Sequence, residues 1–236
     1  GRSVLSWMYK CTLWHLTKRN MYLPSHFQIR NTHELHRIIQ THPLGILITQ
    51  HDGLDANHLP FLLNSGLRPL GTLTAHIARA NPLTAIPNGS DVLVVFRGEH
   101  GYITPSSYPS KQETHRQVPT WNYEVVHAHG KLTLRDDAKF VRSVMGKLTK
   151  FHETKEASPW KMSDAPADYL EAMVQAVVGI EITLTHLEGK AKLSQNKDRK
   201  DQQGVVDALH AKGQKGLAEA MQTANALGLD DIGPPT

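Results

Sequence analysis

The sequence predicts a mainly β protein with flanking helices, in the α+β class, and two observations support that prediction. Short apolar or alternating runs follow one another closely between Leu44 and Leu134, with turn residues between them, as in an antiparallel sheet. Longer stretches with helical spacing lie before and after this block. With 236 residues and 39% hydrophobic content, the chain can bury a sizeable core.

The chain is expected to begin its folded part with one helix and then a hairpin. Asn31 or Thr32 can cap a helix that runs to about His42. Leu44–Thr49 and His58–Leu63 are apolar runs on either side of an Asp-Gly turn signal, which favours two paired strands.

The third predicted strand, Gly71–Ala78, has one apolar and one polar face. Thr74 and His76 lie on the polar face, and Arg79 and Asn81 follow at once. Hydroxyl, imidazole, guanidinium and amide groups together suit an anionic ligand with hydrogen-bonding groups. We therefore expect this strand to form one wall of a cofactor site.

The rest of the chain continues the sheet and then becomes helical. Gly98–Val118 is a long irregular segment, a kind of connection that is usually functional in a compact domain. The remaining predicted strands are Asp91–Phe96, Tyr123–Leu134 and Ile180–Leu187. The remaining predicted helices are Asp137–Phe151, Pro166–Val177 and a hairpin of Gln203–Ala211 and Gln214–Ala226 that turns at Gly213.

Composition limits the class of protein. The formal net charge is +4 and the pI is about 9.1, so a basic patch can exist but binding to nucleic acid is not required. Cys11 is the single cysteine, which excludes an intramolecular disulfide and a cysteine-rich zinc site and fits a reducing cytoplasm. Since no apolar run approaches about 20 residues, no membrane helix is predicted.

Three regions are expected along the chain. Residues 1–20 are interpreted as an upstream extension or as artificial residues that are foreign to the protein. The alternative is a genuine arm that packs on the domain. Residues 21–189 form the β domain. Residues 190–236 comprise a polar segment, the helical hairpin and a tail.

Seven motifs occur in an order typical of one protein family. They are MYLPSHF at Met21, HLPF at His58, GTLTAHIARANP at Gly71, VLVVFRGEHGYITPSSY at Val92, VPTWNY at Val118, VHAHG at Val126 and KLSQNK at Lys192. From Met21 to about Met221 the chain resembles the PaiB family of FMN-binding negative transcriptional regulators. It departs at Ser107, where the family tends to have tryptophan.

The resemblance implies a six-stranded, mostly antiparallel FMN-binding split barrel that forms a homodimer with FMN at the subunit interface. The expected cofactor-binding residues are Thr74, His76, Arg79, Asn81, Tyr102, Ser106, Tyr108, Trp121, Asn122, Lys192, Ser194, Gln195 and Asn196. Arg79 is the leading phosphate ligand, because a guanidinium can meet two phosphate oxygens at once. The alternative for Arg79 is a solvated arginine that begins a helical turn. The alternative for Trp121 is an aromatic residue of the core or of the dimer interface.

Other chemistry has weaker candidates. His127 and His129 have metal-ligand spacing, but no carboxylate or cysteine lies close in sequence, so structural histidines are favoured and no metal site is predicted. Since no nucleophile or general-base motif is found, regulation is favoured over catalysis by a flavin-dependent oxidoreductase of the same fold. If DNA is bound, Lys197, Arg199 and Lys200 are the expected contacts, rather than a helix-turn-helix.

Overall fold

The computed structural model describes residues 21–66 and 68–226. Within these residues the strands are β1 (Gln28–Ile29), β2 (Leu44–Gln50), β3 (Leu54–Pro60), β4 (Leu62–Asn64), β5 (Thr72–Ala78), β6 (Ser90–Ile103), β7 (Thr120–Arg135) and β8 (Val177–Lys192). The α-helices are α1 (Thr32–Thr41), α2 (Ser110–Thr114), α3 (Ala138–Glu153), α4 (Ala167–Gln175), α5 (Arg199–Ala211) and α6 (Lys215–Ala226). None of these helices is both long and apolar enough to cross a bilayer.

All eight strands belong to one antiparallel sheet. The main path runs β3-β2-β6-β7-β8-β5-β4, and β1 pairs with β8 beside it. Residues of β3, at one edge, contact β5 near the other edge. The sheet therefore curls round on itself, and the structure is a mainly antiparallel split barrel with flanking helices.

The main core fills the inside of this curled sheet. Alternate residues of β5, such as Leu73 and Ala75, are fully buried, and they face residues of β8 such as Ile180. Helix α1 covers the core with Ile38 and Ile39, which have no exposed surface. Full burial of each such side chain contributes about 1.5–3 kcal/mol, so this core stabilises the barrel.

A second core lies between the α5–α6 hairpin and the ends of β6 and β8. Ile103 on β6 and Ala191 on β8 pack there with Leu217 and Met221 of α6. An added Cβ at Gly101 would lie 2.8 Å from the Leu217 side chain, so the helix approaches the strand closely. Strand β8 takes part in both cores and passes through the predicted boundary at residue 189.

Several local predictions are confirmed, and others differ for clear reasons. Helix α1 begins as predicted, since the Asn31 side chain accepts a hydrogen bond from the His33 amide. The predicted strand His58–Leu63 is divided between β3 and β4 at Phe61, whose side chain turns into the core. The described residues form eight strands where six were expected. Residues 1–20, with Cys11, and residues 227–236 lie outside the described part of the chain.

The segment Gly98–Val118, expected to be an irregular connection, is more regular than predicted. β6 continues through it to Ile103, after a bulge between Arg97 and His100. A 3₁₀ turn and the short helix α2 follow. The bulge interrupts the alternation of apolar residues, which is why the sequence pattern suggested that the strand ended.

Candidate functional site

One face of the sheet points away from the main core and is only half covered. The strand registers place residues in rows across this outer face, and one row consists of His58, Ile46, Val95, His127 and Glu188. The next row has Ala56, Ile48, Leu93, His129 and His186. Apolar and imidazole groups therefore alternate on a surface that, on a solvated sheet, would carry charged or polar residues.

A groove of about 790 Å³ crosses this face, and we call it the outer groove. Its lining residues are His42, Pro43, Leu44, Ile46, His58, Pro60, Val95, Arg97, His100, Trp121, Tyr123, Val125 and His152. The floor of the outer groove is aliphatic, and one end is aromatic. Arg97 is the one arginine or lysine among the described residues of its lining. Its volume is in the range of about 300–1,000 Å³ that is usual for sites of cofactors and other small molecules.

The aromatic end of the outer groove is fixed by its neighbours. The Trp121 ring is 49% exposed and stacks on the His100 ring at 6.0 Å, with 18° between the planes. Tyr102 lies beside it at 6.3 Å. Lys192 donates to the Trp121 carbonyl at 2.8 Å and also to the Thr120 hydroxyl. These contacts hold a flat ring surface open to solvent.

The charge of Lys192 is less favourable than that of an ordinary lysine. Burial lowers the pKa of Lys192, and the nearby charges of Lys190 and Lys197 lower it further. An anion bound near these three lysines would offset their mutual repulsion, so the group favours binding of an anion.

Arg97 lies in the outer groove just before the bulge of β6. Its side chain is exposed, and within residues 21–66 and 68–226 it has no hydrogen bond or ion pair. A guanidinium without a partner, beside an aliphatic floor, is well suited to bind a phosphate. Arg97 and His58 were not among the residues predicted from the sequence. The alternation of β6 could have indicated Arg97, because it occupies the same face as Val95.

Arg79, the predicted phosphate ligand, is engaged within the chain. Its two terminal nitrogens donate to Asp136 at 2.8 and 2.6 Å, and further donors reach the carbonyls of Gln175 and Val177. This guanidinium lowers the pKa of the Asp136 carboxyl. To hold a phosphate, Arg79 would have to exchange Asp136 for it.

Other predicted residues of β5 lie near Arg79 but not in the outer groove. Asn81 caps the 3₁₀ turn after β5 and donates to Asn57 Oδ1 at 2.9 Å. The Thr74 hydroxyl donates to the Leu62 carbonyl at 3.4 Å. His76 is half-buried, and its Nδ1 has no hydrogen-bond partner among the residues that the structure describes. Burial lowers the pKa of its imidazole. His76 is thus neutral at physiological pH and keeps an unused polar atom.

A third group of predicted residues lies inside the second core. The Asn122 amide donates to Ser194 Oγ at 3.0 Å, and Ser194 adopts a left-handed backbone with φ of 66°. Tyr108 is buried, and burial raises the pKa of its hydroxyl. Within the described part of the chain this hydroxyl has no hydrogen bond of good geometry, although Ser194 lies nearby. Gln195 accepts from the Leu193 amide and donates to the Ala191 carbonyl. These side chains hold the chain after β8 in place.

The remaining predicted residues are at the surface. Ser106 accepts a hydrogen bond from Lys111, and Asn196 is exposed. Of the predicted DNA contacts, Lys197 donates to Gln117, Lys200 pairs with Glu113, and Arg199 begins α5 with its side chain exposed. The thirteen predicted cofactor residues therefore do not form one cluster within one chain.

The chemistry of the outer groove fits a flavin. An isoalloxazine ring needs a flat apolar surface, which the aliphatic floor and Trp121 offer. Its pyrimidine edge needs donors and acceptors, which His58 and His100 can supply. The phosphate needs a cation, and the Arg97 guanidinium has no partner in the described part of the chain. Residues of this groove thus offer suitable groups for the ring, the pyrimidine edge and the phosphate of FMN.

Comparisons with known proteins bear on the family and the fold of this chain. Residues 21–186 match the sequence model of a family described as "Putative FMN-binding domain". The protease synthase and sporulation protein PAI 2 of Bacillus subtilis is 30% identical, over 86% of this chain and 97% of that protein. An uncharacterized protein of Emericella nidulans is 34% identical, over 73% and 83%. The flavocytochrome Anf3 of Azotobacter vinelandii has a similar fold, with a TM-score of 0.52, 12% identity and 74% of each chain covered.

Proposed function

The chain belongs to the PaiB family of FMN-binding split-barrel proteins, and from that premise we propose that it regulates transcription as a flavin-bound homodimer. The outer groove best supports the flavin part of this proposal, since it joins an aliphatic floor, an exposed tryptophan and a guanidinium with no partner among the described residues. Regulation is proposed from the family resemblance. When bound, FMN supplies redox chemistry, and the protein's part is to hold and orient it.

We place the isoalloxazine ring on the floor formed by Ile46, Val95 and Val125, with Trp121 at its edge. The phosphate then lies at Arg97. Arg79 is the second candidate for the phosphate, since the carboxylate that occupies it is exposed and an exposed ion pair contributes only about 0–1 kcal/mol. The neighbouring Asn81 and His76 would assist it there.

The second copy of the chain is proposed because the outer face stays partly open. Leu44 is 61% exposed, and Ile46, Ile48, Leu93 and Val95 are only half-buried. Contact between two such faces removes this apolar area from water and closes the groove over the flavin. The ring then lies in a less polar environment than one chain alone provides.

FMN titration tests the flavin proposal directly. Binding is expected to quench flavin fluorescence and to raise the melting temperature, since a ligand that binds only the folded state stabilises it. Arg97→Ala should weaken FMN at least 10-fold and change riboflavin, which lacks the phosphate, by less than 2-fold. Arg79→Ala is the matched control and should leave the ratio of FMN to riboflavin affinity near its original value.

The opposite result has a defined meaning. If Arg79→Ala alone lowers the ratio of FMN to riboflavin affinity, the phosphate lies at the end of β5. If saturating FMN changes neither fluorescence nor melting temperature, the flavin proposal is wrong.

Regulation can be separated from catalysis by salt dependence and by reduction of the flavin. Direct contact with DNA through Lys197, Arg199 and Lys200 predicts binding that falls steeply with salt, with a log–log slope of about −0.9 for each phosphate neutralised. Replacing all three with alanine should reduce that slope without changing FMN affinity. An oxidoreductase would instead show rapid bleaching of the flavin by NADH or NADPH and no retarded DNA at low salt.

A further inference from the structure

We propose that His127, His129 and Glu188 form a binding site for a divalent transition-metal ion on the outer face of the sheet. One ligand atom from each of these side chains lies within 4.8 Å of the other two. Such spacing lets three atoms approach one ion at about 2.0–2.2 Å with only small side-chain movements.

The sheet itself produces this cluster. His127 and His129 are two residues apart on β7, so both point to the outer face. The β7–β8 register sets Glu188 directly opposite His127 and His186 opposite His129. Directly opposed residues in an antiparallel pair share a face, so His127, His129 and Glu188 lie together on the outer face, with His186 beside them.

Glu188 is held in the orientation that a ligand needs. Its side chain is buried, and its Oε2 accepts a hydrogen bond from the Met21 amide at 3.1 Å. Its Oε1 lies 3.2 Å from Nε2 of His186. Metal-binding carboxylates are commonly fixed by such outer partners, which orient the oxygen before the ion arrives.

The donor atoms identify the class of ion. Two imidazole nitrogens and one carboxylate oxygen suit first-row ions such as Zn²⁺ or Fe²⁺, whereas Mg²⁺ and Ca²⁺ prefer oxygen ligands. Three protein ligands also leave a position for water or another small molecule. The site shares the outer face with the outer groove, in whose lining His58 and Val95 belong to the same row as His127 and Glu188.

Zinc binding by the purified full chain, with its flavin, tests the proposal. The protein is stripped with a chelator, titrated with ZnCl₂ by calorimetry, and measured for bound metal after gel filtration. We expect one Zn²⁺ per chain, and no binding of Mg²⁺ at the same concentration. X-ray absorption at the zinc edge should report nitrogen and oxygen ligands at about 2.0–2.2 Å.

Variants locate the bound ion. Glu188→Gln and His129→Gln should each weaken Zn²⁺ by more than 100-fold, because loss of an outer partner alone costs about 10–100-fold. His210→Gln is the matched control, since His210 is an exposed histidine on α5, outside the sheet, and this variant should bind Zn²⁺ as the parent does. Circular dichroism shows whether Glu188→Gln, at a buried position, still folds. If it does not, His129→Gln provides the test, because His129 is only half-buried.

Two results would overturn the proposal. One is less than about 0.2 Zn²⁺ per chain at saturating micromolar concentrations, where the proposed site should hold one ion. The other is Zn²⁺ affinity that stays within 2-fold of the parent in His129→Gln, which would place the ion on other histidines. Neither result depends on whether FMN binds.

Discussion

Glu124 lies on the core side of β7 and is only 3% exposed. One carboxylate oxygen accepts a hydrogen bond from Arg37 at 3.2 Å. The other is buried and, within the described residues, has no hydrogen bond of good geometry, although the Glu99 amide lies nearby. Burial raises the pKa of Glu124, and Arg37 opposes that shift only in part. The charged form of this side chain is therefore destabilised in the folded protein.

This environment predicts a pH-dependent effect of Glu124→Gln. Because the folded-state pKa lies above the ordinary value of 4.5, the stability contributed by this group falls as pH rises above about 4.5. Glu124→Gln should therefore raise the free energy of unfolding at pH 7 and have little effect near pH 4. Urea unfolding across this pH range measures the difference.

Glu34→Gln is the matched control for this experiment. Glu34 also contacts Arg37, but it is on α1 and more exposed to water. Its substitution should show no comparable gain at pH 7. A Glu124→Gln variant that is less stable than the parent at pH 7 would mean that the ion pair with Arg37 outweighs the cost of burial.

The elements of the fold differ in how far sequence alone could predict them. Helix α1 was predicted within one or two residues because Asn31 is a strong cap and the apolar spacing is regular. β6 was cut short because its bulge breaks the alternation of side chains. The division at Phe61 was missed because a continuous apolar run gives no sign of where one strand ends and the next begins.

The site was less predictable than the fold, since it depends on pairing between distant strands. Trp121 was identified from its motif. The position of Arg97 beside an aliphatic floor depends on the pairing of β6 with β2 and β7. Glu188 is far from His127 in sequence, and only the β7–β8 register brings them together. Local patterns carry no information about such a register.

Gly213, between α5 and α6, gives a prediction at the scale of these helices. Its φ is 73°, and an added Cβ would meet nothing within 4 Å, so substitution acts only through the backbone. Gly213→Ala should lower the free energy of unfolding by about 1–2 kcal/mol, the cost of a left-handed conformation. Chemical denaturation provides the measurement.

Gly146 in α3 is the matched control, because its backbone is helical and it needs no positive φ. Gly146→Ala should raise stability by about 0.5–1 kcal/mol, since alanine favours the helix. If both substitutions change stability in the same direction, the backbone explanation for Gly213 fails.

For the whole molecule, the open sheet face predicts self-association. Leu44→Glu places a charge in the proposed interface and should convert a dimer into a monomer at low micromolar concentration. Tyr169→Glu is the control, because Tyr169 is 56% exposed on α4, outside the sheet, and does not line the outer groove. Light scattering of the parent and both variants reports the mass.

The result bears on the flavin as well. A monomeric Leu44→Glu protein that binds FMN as tightly as the parent would show that one chain is enough to hold the cofactor. If the parent itself has the mass of one chain, the homodimer proposal is wrong.

Strand β8 also determines when the chain can fold during its synthesis. It pairs with β1, β5 and β7, yet it begins roughly 100 residues after β5 ends. At about 5–20 residues per second, a ribosome needs about 5–20 s to make that stretch. Throughout this interval, one side of β5 is an unpaired hydrogen-bonding edge that a second nascent chain could occupy. Slow translation of this region would therefore lower the yield of correctly folded protein. It would not alter the stability of the molecules that do fold correctly.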